Sequence, residues 1–260
     1  MVQEAELPER RDKALQVVNR KGFVSIGELV ELLGVSESTA RRDLEALEAQ
    51  GVVRRTHGGV ISLAEPAATR LAFSDRTATA VEEKTAIAAA VAAMIEDNQT
   101  VILNGGTTCC CLAEALRGRR LSIVTNSVPI AALLGGEIHT EITMIGGYLY
   151  PRTGVTLGTA AVDMLGTLRA ARAVMSCAAV NPDGAFNVNE MMTAVEQRMI
   201  EVADEVILAV DHTKFGKRAI ARLCGWGDVS VVVTDAGIDA ESLGWLERMD
   251  VRVVVAEEKA

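Results

Sequence analysis

Only three residues, Gly34-Val35-Ser36, separate two short helical patterns near the N-terminus. A turn that tight leaves the two helices few ways to cross. Ser25 opens the first pattern three residues before Glu28, a spacing at which each side chain meets the other's free backbone donor. Val24 and Leu29 take the hydrophobic-staple positions, and the pattern runs to about Leu33. Gly34 then ends that helix and Ser36 caps the next. The next helix is predicted from Glu37 to about Gln50, with Ala40, Leu44 and Leu47 on its apolar stripe. Its opposite face carries Ser38, Arg42 and Glu45, flanked by Thr39 and Arg41. Upstream, residues 8–20 predict a first helix. Pro8 suits its first turn, Ala14, Leu15 and Val18 form its stripe, and Gly22 ends it. Downstream, Gly51 closes the third helix, and VVRRTHGGVIS predicts a hairpin around His57-Gly58-Gly59.

Helix, turn, helix and wing together make a device for reading duplex DNA: the second helix braces the third, whose first turns enter the major groove. Ser36, Ser38, Thr39, Arg41 and Arg42 stand at that end, and Arg54, Arg55 and His57 stand on the wing. An arginine paired with a guanine edge gives about 1–3 kcal/mol of discrimination. The expected partner is a double-stranded operator. Such sites are usually two-fold, so a homodimer or higher homo-oligomer is expected. The net charge of −9 does not oppose this. Residues 1–62 carry 9 Lys and Arg against 10 Asp and Glu, while the remainder carries 17 against 25. The acidity therefore sits in the second part, where it disfavours non-specific adhesion to DNA.

SLAEPAATRLAFS, around Pro66, has no clean period. Residues 63–74 are therefore expected to be a linker between a DNA-binding domain at 1–62 and a larger domain at 75–260. In the larger domain, Thr79 is placed to cap a helix with Glu82 in the box position and a stripe of Ile87, Val91, Met94 and Ile95. The strands VILN, LSIVTNS, EITMIGG, AVMSCAAV, VILAVD, VSVVVTD and VRVVVA then alternate with helices, one of them near Thr159–Leu168. Apolar, β-branched strands separated by helices predict a doubly wound α/β fold, its parallel sheet covered on both faces. With aromatics at 3% of the chain, the core must be aliphatic. There is no run of 18 uncharged apolar residues and no secretory leader, so a cytoplasmic protein that does not span a membrane is expected. The cysteines, Cys109, Cys110, Cys111, Cys177 and Cys224, lack C-x-x-C spacing and read as small buried hydrophobes rather than metal ligands, with redox sensing as the alternative.

Three loops at strand ends carry the polar chemistry of this domain. Gly105-Gly106-Thr107-Thr108 opens a helix after VILN, Thr125-Asn126-Ser127 ends a second strand, and Asp211-His212-Thr213-Lys214 follows VILAV. A helix N-terminus with glycines and hydroxyls favours an anion, and ligands of doubly wound sheets lie at the C-terminal strand edge. Lys214 adds a cation.

The N-terminal segment resembles the DNA-binding domain of the DeoR family of transcriptional repressors. The family's S-x-x-T-x-R-R-D-L helix and H-G-G wing stand intact as Ser36 to Leu44 and His57 to Gly59. Residues 75–260 resemble the family's sensor domain, which is related to ribose-5-phosphate isomerase. The resemblance implies that the three loops line a pocket for a phosphorylated sugar, with Asp183 and Glu190 near it. Asn104 stands where family members often carry the acid of D-x-G-T-T.

The alternative is a sugar-phosphate isomerase with an appended DNA-binding domain. Isomerisation needs a positioned general base. The related isomerases carry D-G-A-D, and here the stretch reads Asp183-Gly184-Ala185-Phe186, without the second acid. No G-x-G-x-x-G follows a strand, which argues against a dinucleotide site. A regulator without cofactor, metal or catalytic residue is the expectation.

Overall fold

The computed structural model describes residues 6–21, 23–50, 52–55, 59–62 and 76–257. The chain divides into two compact units, Met1–Leu71 and Ala72–Ala260. The expected linker at 63–74, His57 and Gly58 of the wing tip, and the expected helix-ending Gly22 and Gly51 lie outside the described residues.

The first unit runs α1 (Glu6–Lys21), β1 (Phe23–Ser25), α2 (Ile26–Leu33), α3 (Glu37–Ala49), β2 (Val53–Arg55) and β3 (Gly59–Ser62). Ser25 accepts from the Glu28 amide at 3.2 Å to cap α2. Gly34 ends α2 at φ +64°, a left-handed conformation that glycine reaches without a Cβ penalty. Ala14, Val18, Val24, Leu29, Ala40, Leu44, Leu47, Val53 and Val60 form one apolar core, in which both predicted helical stripes meet. Full burial of one Leu or Val is worth about 1.5–3 kcal/mol. The sequence reading missed β1, which pairs with β3 through Val24 and Val60 and turns the two-armed wing into a three-stranded antiparallel sheet.

The second unit contains α4 (Val81–Ala92), β4 (Thr100–Leu103), α5 (Thr107–Ala115), β5 (Leu121–Thr125), α6 (Val128–Leu134) and β6 (Thr140–Met144). It continues with β7 (Tyr148–Tyr150), β8 (Val155–Leu157), α7 (Thr159–Gly166), β9 (Ala170–Met175), β10 (Ala179–Asn181), β11 (Gly184–Asn187) and α8 (Glu190–Glu201). The last elements are β12 (Ala203–Ala209), β13 (Ala221–Cys224), β14 (Val231–Asp235), α9 (Ala240–Glu247) and β15 (Arg252–Ala256). Seven strands form one parallel sheet in the order β15-β14-β12-β9-β4-β5-β6. Strand alternation divides the side chains between two cores. Ile102 and Leu208 join α7, α8 and α9 through Leu165, Met199 and Leu246. Val101, Leu103 and Ile207 join α4, α5 and α6 through Ile87, Leu112 and Ile130. The expected doubly wound architecture is therefore present. Its winding reverses between the neighbours β4 and β9, where ligand crevices form in such sheets.

Three local readings require correction. Thr79 does not cap α4: Ala80 does, in left-handed backbone at φ +52°, with no side-chain capping bond. AVMSCAAV is not one strand, because β9 ends at Met175 and β10 begins at Ala179. The stretch 181–189 is not a plain connector, since β10, β11 and β13 make a small antiparallel sheet. No helix among the described residues is long and apolar enough to cross a membrane.

Candidate DNA interface and effector site

Ser36 starts α3, and its hydroxyl accepts from the Thr39 amide at 3.3 Å. The same oxygen lies 3.0 Å from Ser38 Oγ and 2.9 Å from Thr39 Oγ1, so three hydroxyls cluster at the helix entrance. One turn on, Arg41 and Arg42 are exposed. Arg41 pairs with Glu37 at 2.7 Å, whereas among the described residues Arg42 has no ion-pair partner. Arg42 is thus an exposed cation of this face that no carboxylate among the described residues holds. Arg55 does something the sequence did not indicate. Its guanidinium binds Glu45 and Glu48, each at 2.8 Å, and its amide donates to Glu48, so the wing is tied to α3. These bonds hold the Glu48 carboxyl below its usual range. Arg54 lies in β2 with its side chain outside the described residues, as is His57.

Asp43 was also missed. It is 1% exposed and receives Arg10 Nε at 2.6 Å and Arg11 Nε at 3.0 Å. Burial pushes its carboxyl up, but the hydrogen bonds and charges of Arg10 and Arg11 hold it below its ordinary value. The pair locks α1 against α3. Its position between Ala40 and Leu44 on the inward face was the available signal.

In the second unit the three predicted loops share the C-terminal edge of the sheet, since Leu103 pairs with Thr125 and Leu208 with Met175 in parallel register. The roles of their side chains differ. A Cβ on Gly105 would stand 2.0 Å from Val155 Cγ1, and one on Gly106 would stand 1.7 Å from Ser176 Oγ. Packing within the protein therefore accounts for both glycines. No side chain caps the first turn of α5, whose Thr107 and Thr108 are buried. Its opening amides remain donors at the positive end of a helix dipole.

At the end of β5, Thr125 Oγ1 donates to the Leu103 carbonyl at 2.7 Å, and Ser127 caps α6. Those hydroxyls hold the loop. Asn126 is different: its amide donates to the Thr156 carbonyl at 2.9 Å, while its Oδ1 is buried without a partner among the described residues. At the end of β12, Asp211 is fully buried. Its Oδ1 receives the amide and hydroxyl of Thr213, whereas its Oδ2 has no hydrogen bond among the described residues. Lys214 Nζ lies 3.8 Å from that oxygen, close enough for attraction and too far for a hydrogen bond. Phe215, which packs on Trp245 at 6.1 Å and bridges to Val180, anchors this loop on the core.

Lys84 is a further cation here that sequence reasoning did not find. It is 3% exposed, and its Nζ donates to the carbonyls of Arg76, at 2.5 Å, and Thr79. Burial and the charges of Lys214 and Arg76 push its ammonium down, against the opposing pull of Asp211 and Cys111. A lysine within a helix pattern gives no sequence sign of burial. The remaining two predicted residues lie on other elements, and both are exposed. Asp183 is exposed in the β10–β11 turn, where its amide donates to Asn181 Oδ1. Glu190 is exposed at the start of α8. The buried acid of α8 is Glu196, held by Asn104 and Asn187.

Comparison with known proteins agrees with both halves of this description. The DeoR-like helix-turn-helix domain matches residues 10–65, and the DeoR C terminal sensor domain matches residues 79–236. The HTH-type transcriptional repressor CsqR of Escherichia coli (strain K12) is 33% identical, over 96% of each chain. The glycerol-3-phosphate regulon repressor of the same organism is 34% identical over 88% of this chain and 90% of its own. The lactose phosphotransferase system repressor of Staphylococcus aureus (strain NCTC 8325 / PS 47) is 34% identical over 87% and 91%. A ribose 5-phosphate isomerase from Methanocaldococcus jannaschii covers 52% of this chain and 54% of its own at 15% identity, with a TM-score of 0.37, a likeness too loose to bear on function. Recognition helix, wing and α/β sensor unit together, the chain belongs to the DeoR family of helix-turn-helix transcriptional repressors.

Proposed function

We propose that this chain is an operator-specific repressor whose DNA affinity is set by a phosphorylated sugar or related metabolite at the C-terminal edge of the sheet. The observation that carries the effector half is the pair of orphaned buried acceptors, Asn126 Oδ1 and Asp211 Oδ2. Buried polar atoms are nearly always hydrogen-bonded, so two orphans at one sheet edge favour a ligand that donates. Sugar hydroxyls donate. The uncapped start of α5 and the Lys214 ammonium supply the opposite need, an anion. Asp183 and Glu190 have no part in this reading. Asp183 is exposed in a turn and Phe186 takes the place of a second acid, so we read the unit as a sensor rather than an isomerase.

On the DNA side, Ser36, Ser38, Thr39 and Arg42 read base edges, with Arg41, Arg54 and His57 toward the phosphates. Arg55 sets the wing on α3. Two copies bind a two-fold operator in the cytoplasm. The effector moves DNA affinity only by its differential affinity for the DNA-competent form. The relatives' names, a glycerol-3-phosphate regulon and a lactose phosphotransferase system, put small phosphorylated polyols and sugars first in a screen. A thermal-shift screen tests the reading. The effector at 100 times its dissociation constant stabilises the chain by about 2.7 kcal/mol. A screen in which phosphorylated and unphosphorylated forms act alike contradicts it.

A further inference from the structure

Just past the C-terminal ends of β4 and β9, where the winding reverses, a carboxylate lies buried with no cation paired to it among the described residues. Glu196 of α8 is 3% exposed. Its Oε1 receives Asn104 Nδ2 at 2.9 Å, and its Oε2 receives Asn187 Nδ2 at 2.6 Å. Asn104 is the residue immediately before the Gly105-Gly106 loop. The same amide donates to the Ser176 carbonyl at 2.8 Å, and its Oδ1 accepts from the Ser176 amide at 3.0 Å and from Cys109 at 3.1 Å. Asn187 is fixed in turn, because its Oδ1 accepts from the Ala178 amide at 3.0 Å. Every donor and acceptor around the carboxyl is therefore assigned by its neighbours.

This arrangement explains Asn104. An aspartate there would place a second carboxyl about 2.9 Å from Glu196, and two buried carboxyls at that distance cannot both ionise. The amide is the side chain of that shape that the acid on α8 requires.

We infer that Glu196 is a positioning residue for the effector loop: it orients Asn104, and capture of an anion at the start of α5 is linked to uptake of a proton on its carboxyl. The inference rests on the reading of that loop as the anion end of the effector site. The physical link is direct. A negative ligand on the amides that follow Asn104 adds like charge beside a desolvated carboxylate, which favours the neutral acid. Both oxygens now face amide donors, so the acid's O–H meets no acceptor, and one Asn–Glu bond must rearrange to admit the proton. Proton and loop geometry are thereby coupled, and the coupling is reciprocal.

Among the described residues, the titratable groups that face Glu196 are thiols: Cys109 of α5, Cys177 after β9 and Cys224 of β13. Burial pushes all three up, Cys224 to about 12, so they stay protonated through neutrality. Of the other charges on α8, Glu190 is exposed and Arg198 is paired with Glu201 at 2.6 Å. Burial pushes the Glu196 carboxyl itself up to about 7, against the two amide donors, so it titrates in the range of a living cell.

The test uses the full chain and sulfate, a dianion that does not itself titrate near neutrality. Sulfate affinity is measured by calorimetry at pH 6 and pH 8, in two buffers of different ionisation enthalpy. The expected result is binding about five- to tenfold tighter at pH 6, with net proton uptake. Both effects disappear in Glu196→Gln. Asn187→Ala removes one amide donor and moves the pH dependence upward, a readout that survives if Glu196→Gln folds poorly. Wild-type affinity that is flat between pH 6 and 8, without proton uptake, overturns this inference and leaves the effector loop standing. Absence of sulfate binding to the wild type, or binding unchanged in Lys214→Ala, overturns the loop reading and this inference with it.

Discussion

Lys214 holds its ammonium 3.8 Å from the buried Asp211 Oδ2, an oxygen that no hydrogen bond satisfies. The cation is thus attracted to the site without being locked by it. A phosphate at the start of α5 would give it a better partner. Charged hydrogen bonds contribute about 1.5–3 kcal/mol each, and about 1.4 kcal/mol is a factor of ten. Lys214→Ala should therefore weaken effector binding at least about tenfold while leaving operator affinity unchanged. Calorimetry with the hit from the metabolite screen checks this, and equal affinities for mutant and wild type would remove Lys214 from the site.

The two DNA-side arginines that the proposal assigns to bases and to backbone should behave differently. Arg42→Ala should cost about 1–3 kcal/mol on the operator and relax sequence preference. Arg54→Ala should weaken all sequences alike and flatten the salt dependence. Competition binding on operator and random duplex over a salt series separates them. Equal losses for Arg42→Ala on both duplexes argue against base reading.

Asp43 makes a structural prediction. Asp43→Ala removes the buried acceptor that joins Arg10 and Arg11 to α3, and should cost the first unit about 1–3 kcal/mol. Amide hydrogen exchange at Val18, Leu29 and Leu44 reports it. Its carboxyl is held below 3.8, so the stabilisation is present at neutral pH and is lost only as pH falls through the lowered value. Unchanged exchange would mean that the pair does not hold α1 in place.

Glu196 acts in the opposite sense. Its carboxyl rises from 4.5 to about 7 on folding, so between those values the folded chain holds more protons than the unfolded one. Stability of the second unit should fall as pH rises through that window, by at most about 3 kcal/mol. Glu196→Gln should remove the slope. Urea titrations at pH 5 and pH 7.5 measure it, and parallel slopes in mutant and wild type would mean that Glu196 does not titrate there.

What the sequence made legible follows from which signals are local. The Ser25 cap, the Gly34 turn and the Ala40, Leu44, Leu47 stripe are set within a few residues of chain, and each appears as read. The strands of the parallel sheet carry apolar, β-branched runs, buried on both faces in β4 and β14, and announce themselves. The three-residue β1, β7, β8 and β10 do not, because strands so short carry no period and depend on partners far along the chain. The site behaves likewise. Loops at strand ends were visible as composition, yet the buried charges Asp43, Lys84 and Glu196 were not, since burial of a charged side chain depends on tertiary neighbours. The glycines of the first loop also have a reason that their spacing did not show: Val155 and Ser176 leave no room for a Cβ there.

The most direct test of the account is release from DNA. Operator binding by the wild-type chain is titrated by fluorescence anisotropy with increasing effector from the metabolite screen, beside Lys214→Ala. The account predicts that the effector lowers wild-type operator affinity by about 5–150-fold, the usual range of such coupling, while the mutant stays bound at the same concentrations. A wild-type affinity that does not change while the sensor unit is saturated with ligand would contradict it.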